Sequence, residues 1–256
     1  MKPQDSEAQT QEAEYAFPYH YIPQVNSAKF SSTRHWDWGF RYLGGMQLAL
    51  DQLAQTPFAS LIDIGCGDGR FLREVAGRFP GTRLLGVDAS TRAVRLAQAL
   101  NPEIEYRVLD IVRDGSLEKF EAATLIEVIE HIPPALLPEF VRATADCMCP
   151  GGRLVLTVPH RNKPLITKHY QHFTGEQLRE LLAPHFHDLR LIPFDLRARR
   201  TPLMWLTERV LGAKGRWWLL TNPRLLYLFY RLYLRRFLYC RDERDCERIA
   251  VVATKK

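Results

Sequence analysis

The chain has 256 residues, 46% of them hydrophobic, and a formal net charge of +6. Such a length and apolar content bury the core of one large α/β domain with additions and do not demand two domains. The five cysteines, Cys66, Cys147, Cys149, Cys240 and Cys246, are odd in number in a long chain whose first residues lack a signal-peptide pattern, which excludes a disulfide framework and predicts a reducing, cytoplasmic compartment.

Residues 1–14 are polar and acidic and read as a disordered tail. Residues 15–45 are dense in rings (Tyr15, Phe17, Tyr19, Tyr21, Phe30, Trp36, Trp38, Phe40 and Tyr42) and read as an aromatic cap, which in this position could also cover a substrate pocket. A core is expected over residues 46–194. There, apolar runs at Leu61 to Ile64, Leu84 to Val87, Ile104 to Val108, Ala122 to Glu127, Leu154 to Val158 and Leu189 to Pro193 read as strands. Between them, Phe71 to Phe79, Arg92 to Leu100, Pro134 to Cys147 and Gly175 to Leu182 carry apolar residues at helical spacing. Such alternation predicts βαβ units and a parallel sheet with helices on both faces. Pro150-Gly151-Gly152 reads as a turn that stops the fourth helix and releases the next strand. Cys147 and Cys149 lack a second pair at zinc-site spacing and read as packing thiols.

Residues 195–246 interrupt the alternation and read as a basic, aromatic helical insertion, after which 247–256 supplies the last strand. From residue 195 to the end, 15 Lys and Arg face 6 Asp and Glu, a surplus of nine positive charges that leaves the first 194 residues at minus three. The basic character therefore belongs to the C-terminal segment and points to an anionic partner or surface. Leu225 to Tyr239 is its most apolar helix candidate, too short for a bilayer span of about 20 residues. Arg224, Arg231 and Arg235 make one stripe beside Leu228, Phe229 and the tyrosines, with Trp217 and Trp218 upstream. Over residues 217–239 this fits a helix lying in a membrane interface; a lid on the sheet or on a second subunit, and a nucleic-acid groove, are the alternatives.

The first strand runs straight into Gly65-Cys66-Gly67-Asp68-Gly69, tighter than the G-x-G-x-x-G spacing that admits a pyrophosphate. Ligands of open parallel sheets sit at the carboxyl ends of the strands. Asp88, followed by Ala89, ends the second strand, where a carboxylate can accept both hydroxyls of a ribose. Asp110 and Ile111 follow the third, where one can accept from an adenine amino group and the other can cover the ring. Taken singly, each aspartate also suits a helix N-cap or a turn.

The runs DIGCGDG, GVDAS, VLDI, LIEVIEHI and CPGGRLVLTVP, in that order, resemble the successive motifs of class I S-adenosylmethionine-dependent methyltransferases. The resemblance implies a Rossmann-like seven-stranded α/β sheet with an antiparallel last strand. It also implies a cofactor site of Asp63, Gly65, Gly67, Asp88, Ala89, Asp110, Ile111 and Glu127, in which Gly65 and Gly67 lie beside the methionine moiety, Asp88 on the ribose, Asp110 on the adenine and Glu127 near the donor methyl.

Methyl transfer needs alignment and removal of the acceptor's proton, so a base or a metal is the feature to seek. His131 leaves the fourth strand, and His160, His169 and His172 follow the fifth; His131 and His172 are the expected bases. Glu127-Val128-Ile129-Glu130-His131 resembles the E-x-x-E-H sequence of ubiquinone-pathway O-methyltransferases and of small-RNA 2'-O-methyltransferases. That likeness implies a divalent ion at Glu127, Glu130 and His131, joined in the RNA enzymes by a residue at the position of His172. The RNA family's aspartate-histidine pair followed by F-E-W-T stands here as Gln171-His172-Phe173-Thr174, without the Glu-Trp, a departure that weighs against a nucleic-acid acceptor. The expected activity is O-methylation of a small or lipid-linked acceptor, such as a glycan intermediate or an isoprenoid phenol. RNA 2'-O-methylation and a non-catalytic cofactor-binding scaffold are the alternatives.

Overall fold

The computed structural model describes residues 15, 19–21, 24–26, 29–31, 36–115, 118–197 and 223–256. The expected tail, Phe17, and the part of the insertion with Trp217 and Trp218 lie outside the described residues, as do the side chains of Tyr19, Phe30, Trp36 and Trp38. A short antiparallel hairpin, β1 (Gln24–Asn26) and β2 (Lys29–Ser31), precedes helix α1 (Trp36–Leu53). Leu43, Met46, Leu50 and Leu53 recur at helical spacing and are all buried, so α1 is one continuous helix. It runs through the expected boundary between residues 45 and 46, and cap and core therefore share an element.

The seven-stranded sheet comprises β3 (Ser60–Ile64), β4 (Arg83–Asp88), β5 (Glu105–Val108), β6 (Phe120–Ile126), β7 (Met148–Pro159), β8 (Phe186–Leu196) and β9 (Cys246–Lys255). Its order is β5-β4-β3-β6-β7-β9-β8, and β9 alone runs opposite to the other six strands. The order reverses beside β3, which opens a crevice at the carboxyl ends of β3, β4 and β6. The insertion is bounded by Leu196 and Cys246, which pair in the sheet.

Adjacent strand residues point to opposite layers. Leu61, Ala122, Val155 and Ala250 pack against α1, α2 (Arg70–Arg78), α3 (Thr91–Leu100) and α6 (Pro223–Arg236). Ile62, Ala123, Leu154 and Val251 face α4 (Leu137–Asp146) and α5 (Gly175–Leu182). The helix expected over Pro134 to Cys147 is divided: a 3-10 turn at Pro134–Leu136 precedes α4, whose first turn holds Pro138, a residue without an N–H to continue an earlier helix.

Pro150-Gly151-Gly152 is a bulge inside β7 rather than a turn before it. Phe120 pairs with Met148 but Ala122 with Arg153, so the ladder absorbs the extra residues there. Gly151 has φ 75°, and a Cβ on Gly152 would stand 2.8 Å from the Cys149 carbonyl oxygen, which is why glycines occupy the bulge. Among the described residues no helix is long and apolar enough to cross a membrane.

Candidate active site

The turn after β3 is held from the neighbouring strand. Gly65 and Cys66 both donate their N–H to the Val87 carbonyl, at 2.8 and 3.0 Å, and Gly67 donates to Asp88 Oδ2 at 2.9 Å. Gly67 has φ 55°, and a Cβ there would lie 2.6 Å from the Tyr15 hydroxyl oxygen. Bare backbone is thus presented to a cavity of about 990 Å³, large enough for a cofactor and an acceptor together.

Every residue expected to hold the cofactor borders this cavity: Asp63, Gly65, Gly67, Asp88, Ala89, Asp110, Ile111 and Glu127. The aspartates also do local work. Asp88 Oδ1 accepts from Ser90 N–H at 2.8 Å, and Asp110 Oδ1 accepts from Val112 N–H at 3.0 Å. Asp63 is buried and accepts a 2.6 Å hydrogen bond from Thr124; burial pushes its carboxyl up to about 7. Glu127 has φ 57°, a left-handed conformation that side-chain-bearing residues rarely hold outside functional sites.

A second group lines the cavity beyond Glu127. Ligand atoms of Glu130, His131 and His169 all lie within 4.8 Å of one another. Glu130 is fully buried, neither carboxylate oxygen has a hydrogen-bond partner among the described residues, and burial followed by the Glu127 charge holds its carboxyl well above the usual range. His131 Nδ1 lies 2.9 Å from the Lys168 carbonyl, which can only accept, so this nitrogen carries a proton. The His131 and His169 rings meet edge-on with centroids 4.7 Å apart. His172 is placed differently from the expectation, because it stands behind His169 rather than on the cavity wall, with its Nε2 2.8 Å from His169 Nδ1. His160 turns away altogether, its Nε2 2.9 Å from Glu243.

Residues 38–191 match the methyltransferase-domain family. The chain belongs to the class I S-adenosylmethionine-dependent methyltransferases. A ubiquinone biosynthesis O-methyltransferase from Alkalilimnicola ehrlichii is 32% identical over 172 residues, 61% of this chain and 67% of that protein. A trans-aconitate 2-methyltransferase from Azoarcus is 30% identical over 116 residues, covering 43% of this chain and 44% of its own length. Across the curated relatives the chain spans from under half to about two thirds of their length. The N-methyltransferase NodS of Bradyrhizobium japonicum, solved with S-adenosylhomocysteine, shares the fold with a TM-score of 0.60 over 98% of both chains at 15% identity.

The methyltransferase site contains residues that the sequence pattern did not single out. Asp195 at the end of β8 is buried against Arg41 at 3.4 Å and Arg248 at 3.3 Å, and it accepts from the Tyr233 hydroxyl at 3.1 Å. Arg248 also approaches Glu127 at 3.7 Å. The compact three-ligand group is Glu130, His131 and His169, where the sequence motif implied Glu127, Glu130 and His131. A lone arginine opening the apolar run of β9 was the available signal for Arg248. At the mouth, Leu136 and Ile166 line the cavity while 38% and 40% exposed, and the adjacent Leu165 is 58% exposed.

Proposed function

We propose that this methyltransferase transfers the methyl group of S-adenosylmethionine to an oxygen of a small acceptor that carries an apolar tail. The observation that carries this reading is the exposed lip of Leu136, Leu165 and Ile166 at the cavity mouth: apolar side chains of this size gain from cover, and a tail leaving the pocket would give it. The acceptor hydroxyl would approach the sulfonium methyl beside Glu127, with Nε2 of His131 or His169 receiving its proton. The name of the O-methyltransferase relative supports an oxygen acceptor. Radiolabelled methyl transfer to a long-chain alkylcatechol, and much less to a tricarboxylate, is the expected result; preference for the tricarboxylate would overturn it.

A second reading adds a divalent cation at Glu130, His131 and His169. The buried, unpartnered oxygens of Glu130 favour it, since a cation satisfies both and removes the cost of burying the carboxylate. Such an ion would lower the pKa of a bound acceptor hydroxyl. Metal analysis of the purified protein, with full activity in chelator as the contrary outcome, tests it.

The same protein is proposed to touch anionic membranes through α6. Leu226, Tyr230 and Tyr233 bury its inner face, while Arg224, Leu228, Arg231, Arg235 and Arg236 are exposed, and residues 223–236 contain no carboxylate. Arginine beside an exposed leucine suits a headgroup boundary. Co-sedimentation with vesicles containing phosphatidylglycerol should be lost when Arg231, Arg235 and Arg236 are replaced by Glu; unchanged binding would discard the contact.

A further inference from the structure

A neutral imidazole has one N–H and one lone pair, so a hydrogen bond at one nitrogen decides what the other can do. His172 Nδ1 lies 3.0 Å from the Lys163 carbonyl oxygen. That oxygen only accepts, so His172 Nδ1 bears the proton and His172 Nε2 the lone pair. His169 Nδ1 is 2.8 Å from this lone pair and must in turn be the protonated nitrogen of its ring. His169 Nε2 is then left with the lone pair, on a ring that borders the cavity and belongs to the group with Glu130 and His131.

The surroundings favour this assignment over its reverse. Each neutral ring has one proton to place, and the order Lys163 carbonyl, His172, His169 places both. The opposite order, with His169 protonated at Nε2, would set two lone pairs against each other, either between the two rings or between His172 Nδ1 and the Lys163 carbonyl. The loop that carries these groups is itself tied down by backbone bonds: Lys163 N–H donates to the His160 carbonyl at 2.9 Å, His169 N–H to the Ile166 carbonyl at 3.0 Å, and Tyr170 N–H to the Glu130 backbone carbonyl at 2.9 Å.

We infer that His172 is a positioning residue of the site: it fixes His169 in the Nδ1–H form and thereby aims the His169 Nε2 lone pair at Glu130, His131 and the acceptor. It resembles the orienting aspartate of a hydrolase triad in function, with a backbone-anchored imidazole in the carboxylate's place. His172 itself touches neither cofactor nor acceptor. The inference rests on the proposed site, and it holds whether His169 Nε2 takes a proton or binds a cation, because both need the lone pair.

The decisive measurement is the tautomer of His169 in protein with 15N-labelled histidine and no acceptor, read from long-range 1H–15N correlation spectra. Wild type should show a pyrrole-type Nδ1 and a pyridine-type Nε2 for His169. His172→Phe removes the lone pair and should shift His169 toward the Nε2–H form. His172→Gln, whose amide oxygen can accept at the same place, should restore the Nδ1–H form. With the long-chain alkylcatechol as acceptor, kcat should fall about 10- to 100-fold in His172→Phe and recover in His172→Gln, while KM for S-adenosylmethionine stays unchanged. An Nε2–H tautomer in wild type, or a His169 tautomer indifferent to both substitutions in folded protein, overturns the inference. Because the spectra are recorded without turnover, a wrong acceptor would leave that result intact. If His172→Phe fails to fold, the wild-type and His172→Gln spectra still decide.

Discussion

His20 Nδ1 lies 3.0 Å from Asp68 Oδ2, tying a residue well ahead of the first core strand to the glycine turn that borders the cavity. The His20 ring also stacks on Tyr42, with centroids 5.4 Å apart and planes 14° from parallel. Next to it, Tyr21 donates to the Asp68 carbonyl at 3.2 Å and accepts from Asn101 at 2.8 Å. Tyr15, His20 and Tyr21 thus strap the turn, with the Tyr15 hydroxyl packed on Gly67. His20→Ala should weaken S-adenosylhomocysteine binding about tenfold, which is about 1.4 kcal/mol, mainly through faster release. Equal release rates in stopped-flow experiments would show that the strap does not hold the ligand.

Asp63 gives the stability a pH dependence of known sign. Its folded pKa of about 7 lies above the unfolded value of about 3.9, so the folded state holds a proton that the unfolded state releases between those pH values. Its contribution is fully present below about pH 4 and is lost as pH rises to about 7, on the order of 4 kcal/mol in total. Asp63→Asn keeps an acceptor for Thr124 and should flatten this part of a melting-temperature profile. A cofactor ammonium placed beside Asp63 would expel the proton. Calorimetry near pH 6 in buffers of different ionisation enthalpy should then detect proton release on binding in wild type and none in Asp63→Asn.

The sheet and the residues that line the cavity at the ends of β3, β4, β5 and β6 were legible because each depends on local chain. Strands of a parallel sheet are apolar on both faces, and the residues after β3, β4, β5 and β6 reach the crevice by the topology alone. The P-G-G bulge was misread because glycine and proline mark a break without saying whether the partner strand continues across it. His169 could not be told from His160 or His172 by spacing, since what separates them is where the Lys163 carbonyl and Glu243 lie in space. Arg41, Asp195 and Arg248 meet from three distant segments, and no local pattern announces such a meeting.

That buried cluster makes a stability prediction. Arg248 is held at raised pKa by Glu127 and Asp195 despite its burial, and its guanidinium lies over the Phe194 ring at 4.5 Å. Arg248→Met leaves Asp195 with only Arg41 and the Tyr233 hydroxyl and should cost on the order of 3 to 5 kcal/mol in denaturant unfolding. Replacing Asp195 by Asn in the same chain should recover part of that loss. A double variant no more stable than the single one would mean that the pair does not act as a unit.

Glu127 stores strain that glycine would release. Because φ 57° suits glycine, Glu127→Gly should gain about 1 kcal/mol from the relaxed backbone, less the entropy glycine returns to the unfolded chain. The same variant should bind S-adenosylhomocysteine more weakly. Glu127→Gln keeps the side-chain length and the strained backbone, so it should lose affinity without gaining stability. Unaltered affinity in both variants would remove Glu127 from the cofactor site.

The lip at Leu136, Leu165 and Ile166 makes the acceptor reading quantitative. Each methylene that an alkylcatechol buries there should add about 0.8 kcal/mol, so KM should fall about fourfold per carbon until the tail outruns the lip. Ile166→Asp places a charge on that path and should erase the dependence on chain length, raising KM for long acceptors while leaving unsubstituted catechol unchanged. Since neither substitution partner is the methyl donor, KM for S-adenosylmethionine should not move. A KM that is flat across chain lengths in wild type would mean that the exposed leucines and isoleucine serve another contact, and the tail would have to be dropped from the description of the acceptor.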